Sequence, residues 1–148
     1  VYVHWQRQFL HPMLKALDAP SREECTPQRP RSNTPLEALV MLNDPAMVDA
    51  AIAFASRLIK HADTTSKRLD HAFMITVSRE PDRFERQAIE ALLTRELTHY
   101  QEHTEDAKAL LESADRSIDV SVAPPRELAA WTSVARVLLN LQETVTRN

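Results

Sequence analysis

Asn33-Thr-Pro-Leu-Glu-Ala-Leu-Val-Met-Leu-Asn-Asp-Pro-Ala-Met-Val48 decides the fold of this chain. It carries one start signal twice, since Thr34-Pro35 and Asp44-Pro45 each place a side-chain oxygen directly before a proline. A helix N-cap needs such an acceptor for its free N–H groups, and proline at the first helical position has no N–H to leave unsatisfied. Leu36, Leu39, Val40 and Leu42 make the buried side of a short first helix, and Asn43 ends it. A second helix runs from about Pro45 to Lys60, with Met47, Val48, Ala51, Ile52, Ala55, Leu58 and Ile59 on one face. Helices joined this tightly must turn sharply at Asn43-Asp44.

Downstream, the helical period continues. His61 to Thr65 reads as a linker, and a third helix follows from about Ser66 to Val77, burying Leu69, Ala72 and Phe73. Ser78-Arg-Glu-Pro81 stops it. Asp82-x-x-Glu85 is a capping box, in which each residue's side chain serves the other's backbone N–H. It opens the longest helix, Arg83 to about His103, with Phe84, Ala88, Ile89, Leu92, Leu93 and Tyr100 as its stripe. Glu105 to Glu112 forms a short helix through Ala107, Leu110 and Leu111, and Ser113 to Pro124 is a second irregular arm. The last helix starts near Pro125 and runs to about Thr146. Its Leu128, Trp131, Val134, Ala135, Leu138, Leu141 and Val145 recur at three and four and are core.

Upstream, the period is lost. Val1 to Phe9 alternates in a strand-like way, although a short helix fits as well. Asp18 to Asn33 is proline-rich and polar, with no helical spacing, and reads as a loop. The expected architecture is all-α, a compact bundle of about five or six helices with an irregular N-terminal arm. Residues 1–33 form the arm, and residues 34–148 form the bundle.

Composition narrows the function. A length of 148 residues suits one domain, and 43% hydrophobic with 26% charged residues is ordinary for a globular chain. A net charge of -3 lacks the basic footprint that nucleic acid requires. No apolar run approaches the ~20 residues of a membrane span. The chain contains no glycine, which excludes Walker-type phosphate loops and Rossmann fingerprints, because both bring bare backbone against phosphate. Cys25 is the sole cysteine, so this chain builds neither a disulfide nor a cysteine-based zinc site by itself. It begins at Val1 with no visible signal peptide, which reads as a piece of a longer protein.

Two constellations carry candidate chemistry. Glu96, His99 and His103 fall within ~60° of one another on a helix and could supply metal ligands. The bland alternative is a polar helix end that meets solvent. Asp18, Arg22, Cys25, Arg29, Arg31 and Asn33, with Glu23 and Asp44, could line a cleft for sulfate or carboxylate groups, since guanidinium forks suit both. The same residue types also tie loop backbone and cap helices. Cys25 with His4 or His11 could form a nucleophile–base pair, yet a lone cysteine more often packs as a small hydrophobe. Trp131 could stack on a sugar, but its place in an apolar stripe assigns it to the core.

Several phrases together resemble a known family. They are Asp18-Ala-Pro20, Arg22-Glu-Glu-Cys25, Asn33 through Leu39, Met41-Leu-Asn-Asp-Pro45, Ser78-Arg-Glu-Pro81, Leu128-Ala-Ala-Trp131, and Leu138-Leu-Asn-Leu141 to Thr146-Arg147. The chain resembles the C-terminal domain of unknown function of planctomycete proteins that begin with a cytochrome-c-like domain. It departs from them at Ser78, which lacks the family's glycine before the arginine, at Glu37, where glutamine is common, and at Gln142-Glu-Thr144. The resemblance implies an exported (periplasmic or similar) protein, because c-type haem is attached outside the cytoplasm. It implies a setting of polysaccharide or sulfated-glycan breakdown and brings no established reaction. Cys-x-x-Cys-His is absent here, so no cofactor is expected in this chain, and haem c belongs elsewhere in the longer protein.

Two readings follow. One is a helical scaffold or interaction module whose partners are other domains of the same polypeptide. The other is a glycan-binding or hydrolase-type accessory domain acting through the arginine- and aspartate-rich arm. No catalytic signature in the sequence selects the second.

Overall fold

The structure is a computed structural model that describes residues 35–115 and 117–145, with side chains from Ala38 onward. The arm, with Asp18, Arg22, Cys25, Arg29, Arg31 and Asn33, lies outside the described residues, as do the strand or helix expected near Val1 to Phe9 and the capping role of Thr34. All regular structure among the described residues is α-helical: α1 Pro35–Asn43, α2 Pro45–His61, α3 Thr65–Val77, α4 Arg83–Glu102, α5 Thr104–Glu112, α6 Pro125–Leu139 and α7 Gln142–Val145. The chain divides between Asp44 and Pro45, with α1 in the first part and α2 to α7 in the second.

In the first part, α1 ends where its sequence says it should. Asn43 Nδ2 donates to the Leu39 carbonyl at 2.8 Å, and the Asp44 N–H donates to the Val40 carbonyl at 2.8 Å. Carbonyls of a last helical turn have no partner inside the helix, and Asn43 supplies one. Leu39 is 56% exposed, against the expectation that it is buried. A helix with apolar side chains at 39, 40, 41 and 42 has no single apolar side to bury.

The second part is built around α6, which packs against α2, α3, α4, α5 and α7. Leu128, Ala129, Ala130, Trp131, Thr132, Val134, Ala135 and Leu138 are all buried. Burial on so many sides is what a central helix shows, and the small side chains of Ala129, Ala130 and Ala135 let its neighbours approach. Against it, α2 buries Ala51, Ile52, Phe54, Ala55, Leu58 and Ile59, and α3 buries Leu69, Ala72 and Phe73. Ile89 and Leu93 of α4 and Ala107 and Leu111 of α5 complete the core. Each fully buried large side chain of this set stabilises the fold by roughly 1.5–3 kcal/mol relative to exposure. Thr132 is buried without penalty because its hydroxyl donates to the Leu128 carbonyl at 2.8 Å.

Phe84, Ala88, Val145 and the extent of the last helix also depart from expectation, Val145 being exposed rather than core. Phe84 is 79% exposed and Ala88 is exposed as well. Phe84 sits about 140° around the helix from Ile89, so it cannot share the face that Ile89 and Leu93 bury. The last helix does not run unbroken to Thr146. It ends at Leu139, where the Asn140 and Leu141 N–H groups turn to the Val137 and Leu138 carbonyls at 3.1 and 3.3 Å. These are i−3 bonds, which tighten and close a helix end. Thr144 Oγ1 then donates back to the Leu138 carbonyl at 2.8 Å, which fixes the short α7 across the break.

Between α3 and α4 the chain turns at Ser78, whose φ of 60° and ψ of 26° are left-handed. That turn brings Arg79 to the start of α4. Its guanidinium donates to both Glu85 carboxylate oxygens at 2.7 and 2.6 Å, and to Glu143 of α7 at 2.9 Å. It also lies 5.9 Å from the centre of the Phe73 ring. The capping box forms as its spacing predicts. The Glu85 N–H donates to Asp82 Oδ1 at 2.7 Å, and the Asp82 N–H donates to Glu85 Oε2 at 2.8 Å.

The irregular stretch after α5 is tied down over α2. The Asp115 N–H donates to Asp49 Oδ1 at 3.1 Å, and Ser56 Oγ donates to the Asp119 carbonyl at 3.1 Å. Lys60 pairs with Asp119 at 2.8 Å. Asp115 and Asp119 each accept from the backbone two residues on, at Ser117 and Ser121. Those Asx turns bend the chain without glycine.

Candidate functional site

The α2–α3 hairpin carries a groove. It has a volume of about 630 Å³ and is lined by His61, Asp63, Thr64, Lys67, Asp70, His71, Met74 and Glu80. Its position follows from local sequence. α2 ends on Lys60 and His61, basic residues suited to the negative end of a helix dipole. The connection is only Ala62, Asp63 and Thr64, so α3 begins at once and folds back beside α2. Thr64 holds an extended cap conformation, with no side-chain hydrogen bond to the helix it precedes.

Arg68 fixes this corner. Its Nε donates to the Ala62 carbonyl at 2.6 Å, its Nη1 donates to Glu127 of α6 at 2.7 Å, and its guanidinium lies 5.6 Å from the centre of the Trp131 ring. On the far side, Asp70 is engaged by Arg86 of α4, which also reaches Ser66. Two imidazoles meet inside the frame. The rings of His61 and His71 stack with centroids 3.5 Å apart and planes 8° from parallel. Burial pushes the His71 imidazole below its usual pKa, and the nearby His61 and Arg57 push it the same way. The groove thus offers imidazoles, carboxylates and an ammonium. Among the described residues, no hydroxyl or thiol nucleophile is hydrogen-bonded to either ring.

The sequence-derived candidates sit elsewhere. His99 and His103 do come together, with ring centroids 4.6 Å apart. His103 Nδ1 lies 3.1 Å from the His99 carbonyl oxygen, so it donates there in its Nδ1–H tautomer. His99 Nε2 is 3.7 Å from Asp106 Oδ2 and meets Tyr100 edge to face. Glu96 Oε1 instead accepts from Arg95 at 3.3 Å. Among the described residues, no three histidine, cysteine or carboxylate side chains are disposed to hold a metal ion, so Glu96, His99 and His103 are not brought into a ligand set. Trp131 is 2% exposed and belongs to the core, with no face open to a sugar. No helix among the described residues is long and apolar enough to cross a membrane.

A family model described as PSD1, protein of unknown function (DUF1553), matches residues 1–93. The chain belongs to this family. The DUF1553 match takes in the whole groove, from His61 to Glu80, and ends within α4. His99 and His103 lie beyond it. No curated protein and no solved structure matches the chain. The sequence hides the His61–His71 pair, because its members stand on opposite sides of what reads as a linker. The usable signal was there: a histidine closing one helix, a minimal connection, and a second histidine inside the next.

Proposed function

We propose that this DUF1553 chain is a helical scaffold and interaction module of a larger exported planctomycete protein that carries a cytochrome-c-like domain. One observation supports the scaffold reading above the rest. Four cationic side chains of the body tie one element to another: Arg68 with Glu127, Arg86 with Asp70, Arg79 with Glu85 and Glu143, and Lys60 with Asp119. The planctomycete source, the cytochrome-c-like neighbour and export rest on the resemblance of the arm and the last helix, with haem c held by that neighbouring domain. The partners in this reading are the other domains of the same polypeptide.

The test uses the longer protein with and without these 148 residues. Removing them lowers the melting temperature of the haem-bearing part if the module is a scaffold, and leaves it unchanged if it is not. In parallel, the chain is titrated calorimetrically with neutral, uronic and sulfated polysaccharides and assayed for reducing-sugar release. Turnover or saturable binding lost on changing Arg22, Arg29 and Arg31 to Ala overturns the scaffold reading in favour of a glycan-directed arm.

A further inference from the structure

His61 and His71 come from different helices, lie face to face at 3.5 Å, and neither is hydrogen-bonded or ion-paired to any described residue. Two positive charges at this spacing would oppose that arrangement. The surrounding charges are mixed. α2 contributes Arg57 and Lys60, of which Lys60 is held by Asp119. The connection contributes Asp63, α3 contributes Lys67 and Asp70, and Glu80 follows α3. Asp70 is held by Arg86 of α4, and Glu127 of α6 is held by Arg68. Near the stack, Asp63 and Glu80 are therefore the groove carboxylates without a cationic partner among the described residues.

We propose that His61 and His71 form an acid-sensitive latch: neutral, they stack and hold the end of α2 against α3; protonated, they part and widen the groove they line. The physics has two sides. Two unit charges at this spacing repel appreciably even in water, and more strongly beside protein. A protonated imidazole also has a new place to go, because Asp63 and Glu80 line the same groove and accept from a charged ring. Histidine is the side chain whose charge changes in the mildly acid range, so the device works without extreme conditions. The shift of His71 agrees in direction: its environment already resists the second charge. Solvent reaches His61, which is exposed, so no barrier delays the proton.

The experiment is amide hydrogen–deuterium exchange on the full 148-residue chain at pH 7.5 and pH 5, corrected for intrinsic rates, with EDTA throughout. Two-dimensional NMR titration of the imidazole C–H groups accompanies it. In the native chain, protection across residues 60–66 falls by about five-fold or more on acidification, the Boltzmann weight of such a pair of charges in water. The His71 ring titrates below the ordinary imidazole range in the native chain. His61→Phe and His71→Phe each keep a flat ring in the stack and remove the second charge, so each abolishes the acid-dependent loss. Both variants are checked by circular dichroism at pH 7.5. Should His71→Phe not fold, His61→Phe carries the same test, because it changes an exposed position. Equal acid loss in the native chain and in either folded variant, or no loss in the native chain, overturns the latch.

Discussion

Ser78 is the sharpest place to test how this chain manages without glycine. Its φ of 60° is the one positive value among the described residues, and it sits at the C-cap of α3, where a left-handed residue that ends a helix is most often glycine. An L-residue in that region carries a clash between Cβ and the following carbonyl that costs about 1–2 kcal/mol. Glycine has no Cβ and escapes it, but loses roughly 0.5–1 kcal/mol through its freer unfolded chain. Ser78 is exposed, and its hydroxyl makes no hydrogen bond to a described residue, so no contact is forfeited. The balance predicts that Ser78→Gly stabilises the protein by about 0.5–1 kcal/mol. Ser78→Val should move the other way by about 1 kcal/mol or more, because a β-branched side chain worsens the same clash. Urea titrations followed by circular dichroism measure both, with unchanged m-values as the control that the unfolded state is the same. A destabilised Ser78→Gly variant would refute the reasoning, since it would mean that serine makes a stabilising contact the geometry does not contain.

Further predictions concern the corners of the body. Arg68→Met keeps the aliphatic stem but removes the guanidinium that joins Ala62, Glu127 and the Trp131 face; it should cost about 2 kcal/mol in urea, and a loss under ~0.5 kcal/mol would show that the corner holds without it. The Arg79 guanidinium, then burial acting in the opposite sense, then the Asp82 N–H set the Glu85 carboxyl, whose pKa falls from 4.5 to about 2. A depressed folded pKa means a contribution fully present above about 4.5 and lost as pH falls toward about 2. The stability gap between the native chain and Glu85→Gln should therefore shrink through that window, and a gap independent of pH would contradict the pairing. Thr64→Asp should stabilise by about 0.5 kcal/mol, because α3 has neither a side-chain cap nor an acidic residue in its first turn; thermal unfolding at low salt reads the gain, and its absence would mean that water already serves those N–H groups.

Legibility followed the kind of interaction. The α2 start, the α3 apolar positions, the capping box and the short α5 were all readable, because capping and periodicity act within a few residues of the chain. The all-round burial of α6 was not, since Ala129, Ala130 and Thr132 carry little hydrophobic signal and only their neighbours reveal that the helix is central. Phe84 misled for the converse reason: a large apolar side chain attracts a core assignment even where the helical angle forbids it. Spacing correctly brought His99 and His103 together but said nothing of where the rings turn, and they stack on each other instead of facing a ligand. The arm residues Asp18 to Asn33 lie outside the described residues, so their role stays with the carbohydrate assays above.

The groove was illegible for a deeper reason, and that reason also bounds what the latch can do. His61 and His71 meet only because the three-residue connection folds α3 back along α2, and that fold-back is held from outside the hairpin. Arg68 clamps the Ala62 carbonyl and Glu127 of α6 together, so the connection is fixed to the central helix beside the histidine pair. Leu58 of α2 and Leu69 of α3 are fully buried on either side. Parting the imidazoles therefore cannot peel α2 from α3 along their length without exposing that core. Motion is confined to the end of α2, the connection and the first turn of α3. The exchange experiment should show this directly, with protection lost near residues 60–66 and retained at Leu58, Leu69 and throughout α6. Loss spreading into α6 would describe ordinary acid unfolding rather than a latch.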